Sequence, residues 1–365
     1  MLEDPRVQKM AEVLVHYSLG VQPGWQVCIS STPLAAPLIT AVYREVLRAG
    51  AFPSTHLTLP ELADVLLATG SDAQLQYVPP FSRTLWDSFD ALLTIRAEAN
   101  TRATTDLAPA RLAQYQRGLR GASKSFVWMQ EGRPISSTLF PTAAHAQEAG
   151  MSLAAYADFV FRACMLDAPD PAAEWRALHD QQQHLVDWLQ GKRTVHVESP
   201  AIDLTLSIAG RTFINSDGHN NFPSGEIYTG PVEDSVNGHI HYTYPAIYQG
   251  RVVDDVQLWF KDGRVERFTA GAGADFLAAM LDLDAGARRL GEFAIGTNRG
   301  VDRFTRNVLF DEKMAGTIHC ALGQSYATTG GQNQSALHWD MVADMRAGRI
   351  TVDGAAFYEG GRFLV

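Results

Sequence analysis

Between Phe310 and Val342 the chain sets His319, Tyr326, His338 and Asp340 in a short apolar, glycine-rich stretch. Two imidazoles, a carboxylate and a phenol at that density suit a divalent metal centre served by a tyrosine. His338 and Asp340 stand two residues apart, so a strand there turns both side chains to one face, where they can converge on one ion. A lone His-x-Asp is common and also reads as a polar pair at a strand end. His319 alone also reads as a hydrogen-bonded core histidine, and Tyr326 as a packed aromatic with its hydroxyl satisfied. Two upstream carboxylates shift that balance. Glu226 lies in Asn221-Phe-Pro-Ser-Gly-Glu-Ile-Tyr-Thr-Gly-Pro, a turn framed by proline and glycine that leads into apolar residues. Glu292 lies in Arg289-Leu-Gly-Glu-Phe-Ala-Ile-Gly, otherwise an apolar strand. A carboxylate facing inward there is costly unless paired or metal-bound. Two glutamates, two histidines and an aspartate can hold two divalent ions when one carboxylate bridges them.

The elements that carry these residues belong to the second half of the chain. From Arg193 onward short β-rich runs dominate: Thr194-Val-His-Val, Asp203-Leu-Thr-Leu-Ser-Ile, Thr212-Phe-Ile-Asn, Gly238-His-Ile-His-Tyr and Val253-Asp-Asp-Val-Gln-Leu-Trp-Phe-Lys. Asp262-Gly263 and Pro223-Ser-Gly mark turns between them. One helix is expected over 272–281, and Ile350-Thr-Val-Asp-Gly with Arg362-Phe-Leu-Val reads as a closing hairpin. The first half alternates strands with helices. Apolar spacing predicts a helix over 7–17 and another over 35–49 closed by Gly50. Trp25-Gln-Val-Cys-Ile-Ser, Ser54-Thr-His-Leu-Thr-Leu, Asp90-Ala-Leu-Leu-Thr-Ile-Arg and Lys124-Ser-Phe-Val-Trp-Met read as strands. That alternation implies an α/β domain over 1–191 with a doubly wound, mostly parallel sheet, and a predominantly β, metal-binding domain over 192–365. Helices over 153–166 and 172–190, separated by Asp167-Ala-Pro-Asp-Pro, close the first domain at Gly191.

A length of 365 residues makes two domains the natural expectation. The net charge of -10 argues against nucleic acid or an anionic membrane as a general partner. No Gly-x-Gly-x-x-Gly follows a strand, so a dinucleotide cofactor is not expected. Cys28, Cys164 and Cys320 are odd in number and widely separated, which points to a reducing compartment. The start Met-Leu-Glu-Asp-Pro-Arg lacks a signal-peptide pattern, and no apolar run approaches ~20 residues, so a cytoplasmic protein is expected.

Four blocks in order resemble the aminopeptidase T and aminopeptidase S family of dinuclear metallopeptidases. They are the Glu226 block, Leu290-Gly-Glu-Phe-Ala-Ile-Gly, Asp311-Glu-Lys-Met-Ala-Gly-Thr-Ile-His-Cys-Ala-Leu-Gly and Ser335-Ala-Leu-His-Trp-Asp. The resemblance is carried by the C-terminal half; the N-terminal half matches in its α/β pattern and length. It implies Glu226, Glu292, His319, His338 and Asp340 as metal ligands, Tyr326 as the catalytic tyrosine, and Glu292 as both ligand and base. It also implies two ions of Zn, Co or Mn, peptide substrates with a free N-terminus, and a homodimer. Three residues depart from the pattern or add to it. His239 and His241 form a His-x-His on one strand face, open to two readings: half-exposed polar residues, or a pocket-lining pair or accessory ligand. Glu312 is open to reading as an acid behind the ligands or an exposed turn residue. One rival is a ring-cleaving dioxygenase of the dihydroxypyridine type on the same scaffold, with Fe(II) on His319, His338 and Asp340. The other is a homologue that binds without turnover.

Overall fold

The computed structural model describes residues 4–108, 111, 114, 115, 117–119 and 123–365. Met1 to Glu3, part of the N-terminal stretch read above for a signal peptide, lie outside the described residues. The chain forms two compact units: residues 1–175 with 218–223, and residues 176–217 with 224–365.

The first unit is built on strands β1 (Gln26–Ser31), β2 (Phe52–Leu57), β3 (Ala91–Arg96), β4 (Ile135–Leu139) and β8 (Asn221–Phe222), all parallel, in the order β2-β1-β3-β4-β8. The α/β expectation holds. One strand was misread. Lys124-Ser-Phe-Val-Trp-Met forms the helix Ser125–Gln130, and the strand follows it as β4. Trp128 explains the helix, since it buries one side of the turn against Cys28, Trp86, Leu92 and Ile135. The real strand, Ile-Ser-Ser-Thr-Leu, hides its nature because Ser136 and Thr138 are polar yet fully buried. The expected boundary at Gly191 follows the helix Pro171–Leu189, whereas the compact units divide inside that helix, after Trp175. Trp175 is held within the first unit: its indole N–H donates to the Cys164 carbonyl at 3.1 Å and its ring meets Phe222 at 5.3 Å.

The second unit stacks two antiparallel sheets. One contains β5 (Thr194–Ser199), β6 (Ile202–Ser207), β10 (Asn237–His241), β13 (Gln257–Lys261), β14 (Arg264–Thr269), β18 (Arg349–Val352), β19 (Ala355–Glu359) and β20 (Arg362–Phe363), in the order β14-β13-β10-β6-β5-β18-β19-β20. The expected closing hairpin is thereby corrected: β18 and β20 both pair with β19 and not with each other. A small hairpin joins β11 (Ala246–Tyr248) to β12 (Arg251–Val253). The other sheet contains β7 (Ile214–Ser216), β9 (Glu226–Thr229), β15 (Leu290–Gly296), β16 (Thr317–Gly323) and β17 (His338–Asp344), in the order β17-β16-β15-β9-β7. The two sheets share one core. Val195, Leu204, Ile240 and Leu258 come from the first, and Ile227, Phe293, Ile318, Leu322 and Met341 from the second. Each such side chain contributes roughly 1.5–3 kcal/mol by leaving water. No helix among the described residues is long and apolar enough to cross a membrane.

Candidate metal centre

Period-two alternation gives the five-stranded sheet two characters. Ile227, Phe293, Ile295, Ile318, Cys320, Trp339 and Met341 face the shared core. The residues between them form the opposite face: Glu226 on β9, Glu292 on β15, His319 on β16, and His338 with Asp340 on β17. All five residues expected from the sequence are therefore brought to one side of one sheet.

A β-bulge makes this possible. Strict alternation would leave Glu292 on the same face as Leu290, which is in the core. The register shifts between Leu290 and Glu292, and the extra residue, Gly291, turns Glu292 over. Only glycine fits there, because a Cβ would come within 2.3 Å of the Gln324 carbonyl oxygen.

Most cross-strand neighbours of the site residues are small, Val342 opposite His319 being the exception. Glu226 pairs with Gly296, Glu292 with Ala321, and His319 with Ala294 on one side. Asp340 also pairs with Ala321, and His338 with Gly323. Directly paired residues on one face have Cβ atoms only about 5 Å apart, so bulky partners would fill the space between the functional groups. At Gly296 a Cβ would meet the Met314 carbonyl oxygen at 2.2 Å. That close passage of the chain carries Lys313 over the partner of Gly296, which is Glu226.

The resulting cluster is dense, buried at Glu226, Glu292 and His319 and partly exposed at His338 and Asp340. Glu226 and Glu292 are each 4% exposed and His319 is 1% exposed. Nε2 of His319 lies 3.3 Å from Oε1 of Glu292 and 3.4 Å from Oε2 of Glu226. Nε2 of His338 lies 3.6 Å from both Oε2 of Glu292 and Oδ1 of Asp340. Glu292 thus offers one oxygen to each imidazole. Nδ1 of His338 donates to the Gln324 carbonyl at 2.9 Å, which in the neutral ring leaves the lone pair on Nε2, toward the carboxylates. The Tyr326 hydroxyl stands 3.5 Å from that same Nε2.

Sequence reasoning missed two residues. Lys313 is fully buried, with Nζ 3.3 Å from Oε1 of Glu226 and in contact with Oε1 of Glu312. In the run Asp311-Glu-Lys it reads as part of a solvated turn. Tyr228 follows Glu226 by two on β9 and so shares its face; that Glu-x-Tyr spacing was the available signal. Glu312 belongs to the cluster, within ligand reach of His319 and Asp340. His239 and His241 do not. They lie on β10 of the other sheet, where the His239 ring meets that of Trp259 tilted at 4.6 Å and Nε2 of His241 meets Oδ1 of Asp255 at 2.6 Å.

The electrostatics call for cations. Four carboxylates, Glu226, Glu292, Glu312 and Asp340, belong to the cluster, and the buried ammonium of Lys313 meets two of them, Glu226 and Glu312. Burial pushes Glu226 up to about 7, against the opposing charges of Lys313 and His319. Burial alone would lower His319, but its hydrogen bond to Glu292 and the charges of Glu226, Glu292 and Asp340 outweigh it and raise it to about 10. His338 is raised in the same way, burial being outweighed by Asp340 and Glu292. For Lys313 too the carboxylates of Glu226 and Glu312 outweigh desolvation and hold the ammonium charged. Burial, then the nearby carboxylates, keeps the Tyr326 phenol protonated.

The residues fit divalent metal on two observations. The donors are imidazoles and carboxylates, and they fall into overlapping sets whose ligand atoms lie within 4.8 Å of one another: Glu226, Glu292 and His319; Glu292, His338 and Asp340; Glu312, His319 and Asp340. In addition, Oε2 of Glu226 is buried without a hydrogen bond among the described residues, an acceptor left for a cation.

Comparison with known proteins gives the family. Residues 3–363 match the family described as thermophilic metalloprotease (M29). Aminopeptidase 2 of Geobacillus stearothermophilus is 28% identical, with 96% of this chain and 95% of that protein covered. Aminopeptidase T of Thermus aquaticus is 31% identical over 53% of each. The fold of wild-type AmpT from Thermus thermophilus matches over 99% of both chains, with a TM-score of 0.86 at 22% identity. On the match of nearly its whole length, the chain belongs to the thermophilic metalloprotease family M29.

Proposed function

We propose that the protein removes N-terminal residues from peptides at a centre of two divalent ions held by Glu226, Glu292, His319, His338 and Asp340. That it is a metal-dependent aminopeptidase follows from its family and its aminopeptidase relatives; the number of ions, their identity as Zn, Co or Mn, and the residue roles are the proposal. One observation carries the dinuclear reading. Glu292 belongs to two ligand sets at once, with Oε1 toward His319 and Oε2 toward His338. The ions would supply Lewis acidity toward the scissile carbonyl and a water acidic enough to attack near neutral pH.

The protein's own groups then divide the work. Glu292 either accepts the proton of the attacking water and passes it to the leaving amine or, with both oxygens engaged, holds the geometry in which the water attacks. The neutral Tyr326 O–H donates to the oxygen of the carbonyl as it becomes an oxyanion, a contact worth on the order of 3 kcal/mol in comparable sites. His338 is held in one tautomer by the Gln324 carbonyl, and Lys313 fixes one oxygen of Glu226 so that the other faces the cluster. Glu312 offers a carboxylate to the free α-amine, which favours exopeptidase over endopeptidase action.

The dioxygenase alternative gains no support. The relatives described above are aminopeptidases, and Glu226 and Glu292 stand beside His319, His338 and Asp340 in numbers a facial triad does not need. As part of the proposal the protein works as a homodimer in the cytoplasm; its three free, buried cysteines suit a reducing compartment. The test is metal content per chain, measured on protein purified without chelator, together with residue release from mixed peptides. Two ions and hydrolysis are expected, and Glu292→Gln or Tyr326→Phe should remove most turnover from a folded, metal-loaded protein. Near-normal rates in either variant would refute its role, and one ion per chain would refute the dinuclear centre.

A further inference from the structure

Tyr228 has no part in the reading above, yet it belongs to the same face. It follows Glu226 by two residues on β9 and pairs with Ala294, whose partner on the far side is His319. Its ring meets that of Tyr326 edge-on, with centroids 5.7 Å apart at 61°. Tyr326 in turn meets the His338 ring at 5.2 Å and 70°. Three rings therefore run along the carboxylate cluster from the Glu226 side to the His338 side. The Tyr228 side chain is partly exposed. Its hydroxyl makes no hydrogen bond among the described residues. A phenol carries its proton near neutral pH. A neutral, unused O–H beside a site that generates negative charge on a substrate oxygen is a donor waiting for an acceptor.

We propose that Tyr228 is a second catalytic hydroxyl, donating a hydrogen bond to the scissile carbonyl oxygen from the Glu226 side while Tyr326 donates from the His338 side. The inference rests on the peptide-hydrolysing reading. Its alternative is that Tyr228 only packs against Tyr326. The two differ in what removal of the hydroxyl does, because Tyr228→Phe keeps the ring and its packing.

The experiment compares wild-type and Tyr228→Phe metal-loaded enzyme on an aminoacyl p-nitroanilide and on dipeptides. A donor used mainly in the transition state predicts kcat lowered roughly 10–100-fold with KM changed less than about threefold. A phosphonate analogue of the tetrahedral intermediate should lose affinity by a similar factor, while metal content and melting temperature stay at wild-type values. An unchanged kcat, a loss confined to KM, or a loss that tracks lost metal would overturn the proposal. If wild type hydrolyses the substrates and Tyr228→Phe does so equally well, this inference alone fails. If wild type is inert on the whole panel, the reading beneath it fails as well.

Discussion

Metal binding by this centre should release protons, chiefly from His319 and Glu226 and in addition from His338, which the cluster's carboxylates raise. Without an ion, His319 holds its proton up to about pH 10 and Glu226 up to about 7. An ion needs the imidazole neutral and the carboxylate ionised, so both protons must leave before or as it binds. At pH 7, three units below the His319 value, freeing Nε2 costs on the order of 4 kcal/mol at ~1.4 kcal/mol per unit. Apparent affinity should therefore climb roughly tenfold per pH unit between 7 and 10, and up to about a hundredfold per unit below 7, where both groups are protonated. The metal-free protein should behave in the opposite sense. Both folded values lie above the ordinary values of 6.5 for His319 and 4.5 for Glu226, so the stabilisation is complete below those ordinary values. It is lost as pH rises through 7 for Glu226 and through 10 for His319. Competition with a chromogenic chelator between pH 6 and 9, paired with urea melts of the metal-free protein, reads both trends. An affinity flat from pH 7 to 9, or a metal-free protein that gains stability over that range, would refute the charge arrangement described for the pair.

Lys313→Met should destabilise the metal-free protein at pH 8 by roughly 3–5 kcal/mol, because Glu226 and Glu312 lose their buried counter-charge; urea melts check this, and the double variant with Glu312→Gln should recover part of the loss. Ala321→Leu should push side-chain volume between its two partners, Glu292 and Asp340, costing about 1–3 kcal/mol of stability and weakening metal binding at least roughly tenfold. Wild-type affinity in the chelator assay would show that the small neighbours do not matter. His239→Ala with His241→Ala should leave metal content and kcat unchanged, since both residues lie on the other sheet; loss of an ion on elemental analysis would return them to the site.

The site residues were legible because their chemistry clashes with their surroundings. Glu292 in an apolar strand, and His338 two positions from Asp340, announce themselves by residue type and period. What could not be read is how the strands bring them together. A period-two reading of Leu290 to Gly296 assigns Glu292 to the core face with Leu290, and the bulge at Gly291 that reverses it depends on the Gln324 carbonyl, thirty-odd positions along the chain. Lys313 escaped notice for a similar reason. A lysine after Asp-Glu is ordinarily solvated, and it is buried here because Gly296 lets the Met314 backbone pass close enough to carry Lys313 over Glu226. The strand Ile135–Leu139 was missed because two buried hydroxyl residues imitate a loop, and the Ser125–Gln130 helix was misread because its run of apolar residues imitates a strand. In each case the deciding contact is long-range. Local sequence names the groups with an energetic problem, and the partner that resolves it comes from another strand. The glycines at 291 and 296 are where those two kinds of information meet, since each is required by a neighbour rather than by its own segment. A substitution at either should therefore damage metal binding more than its distance from the ligands suggests.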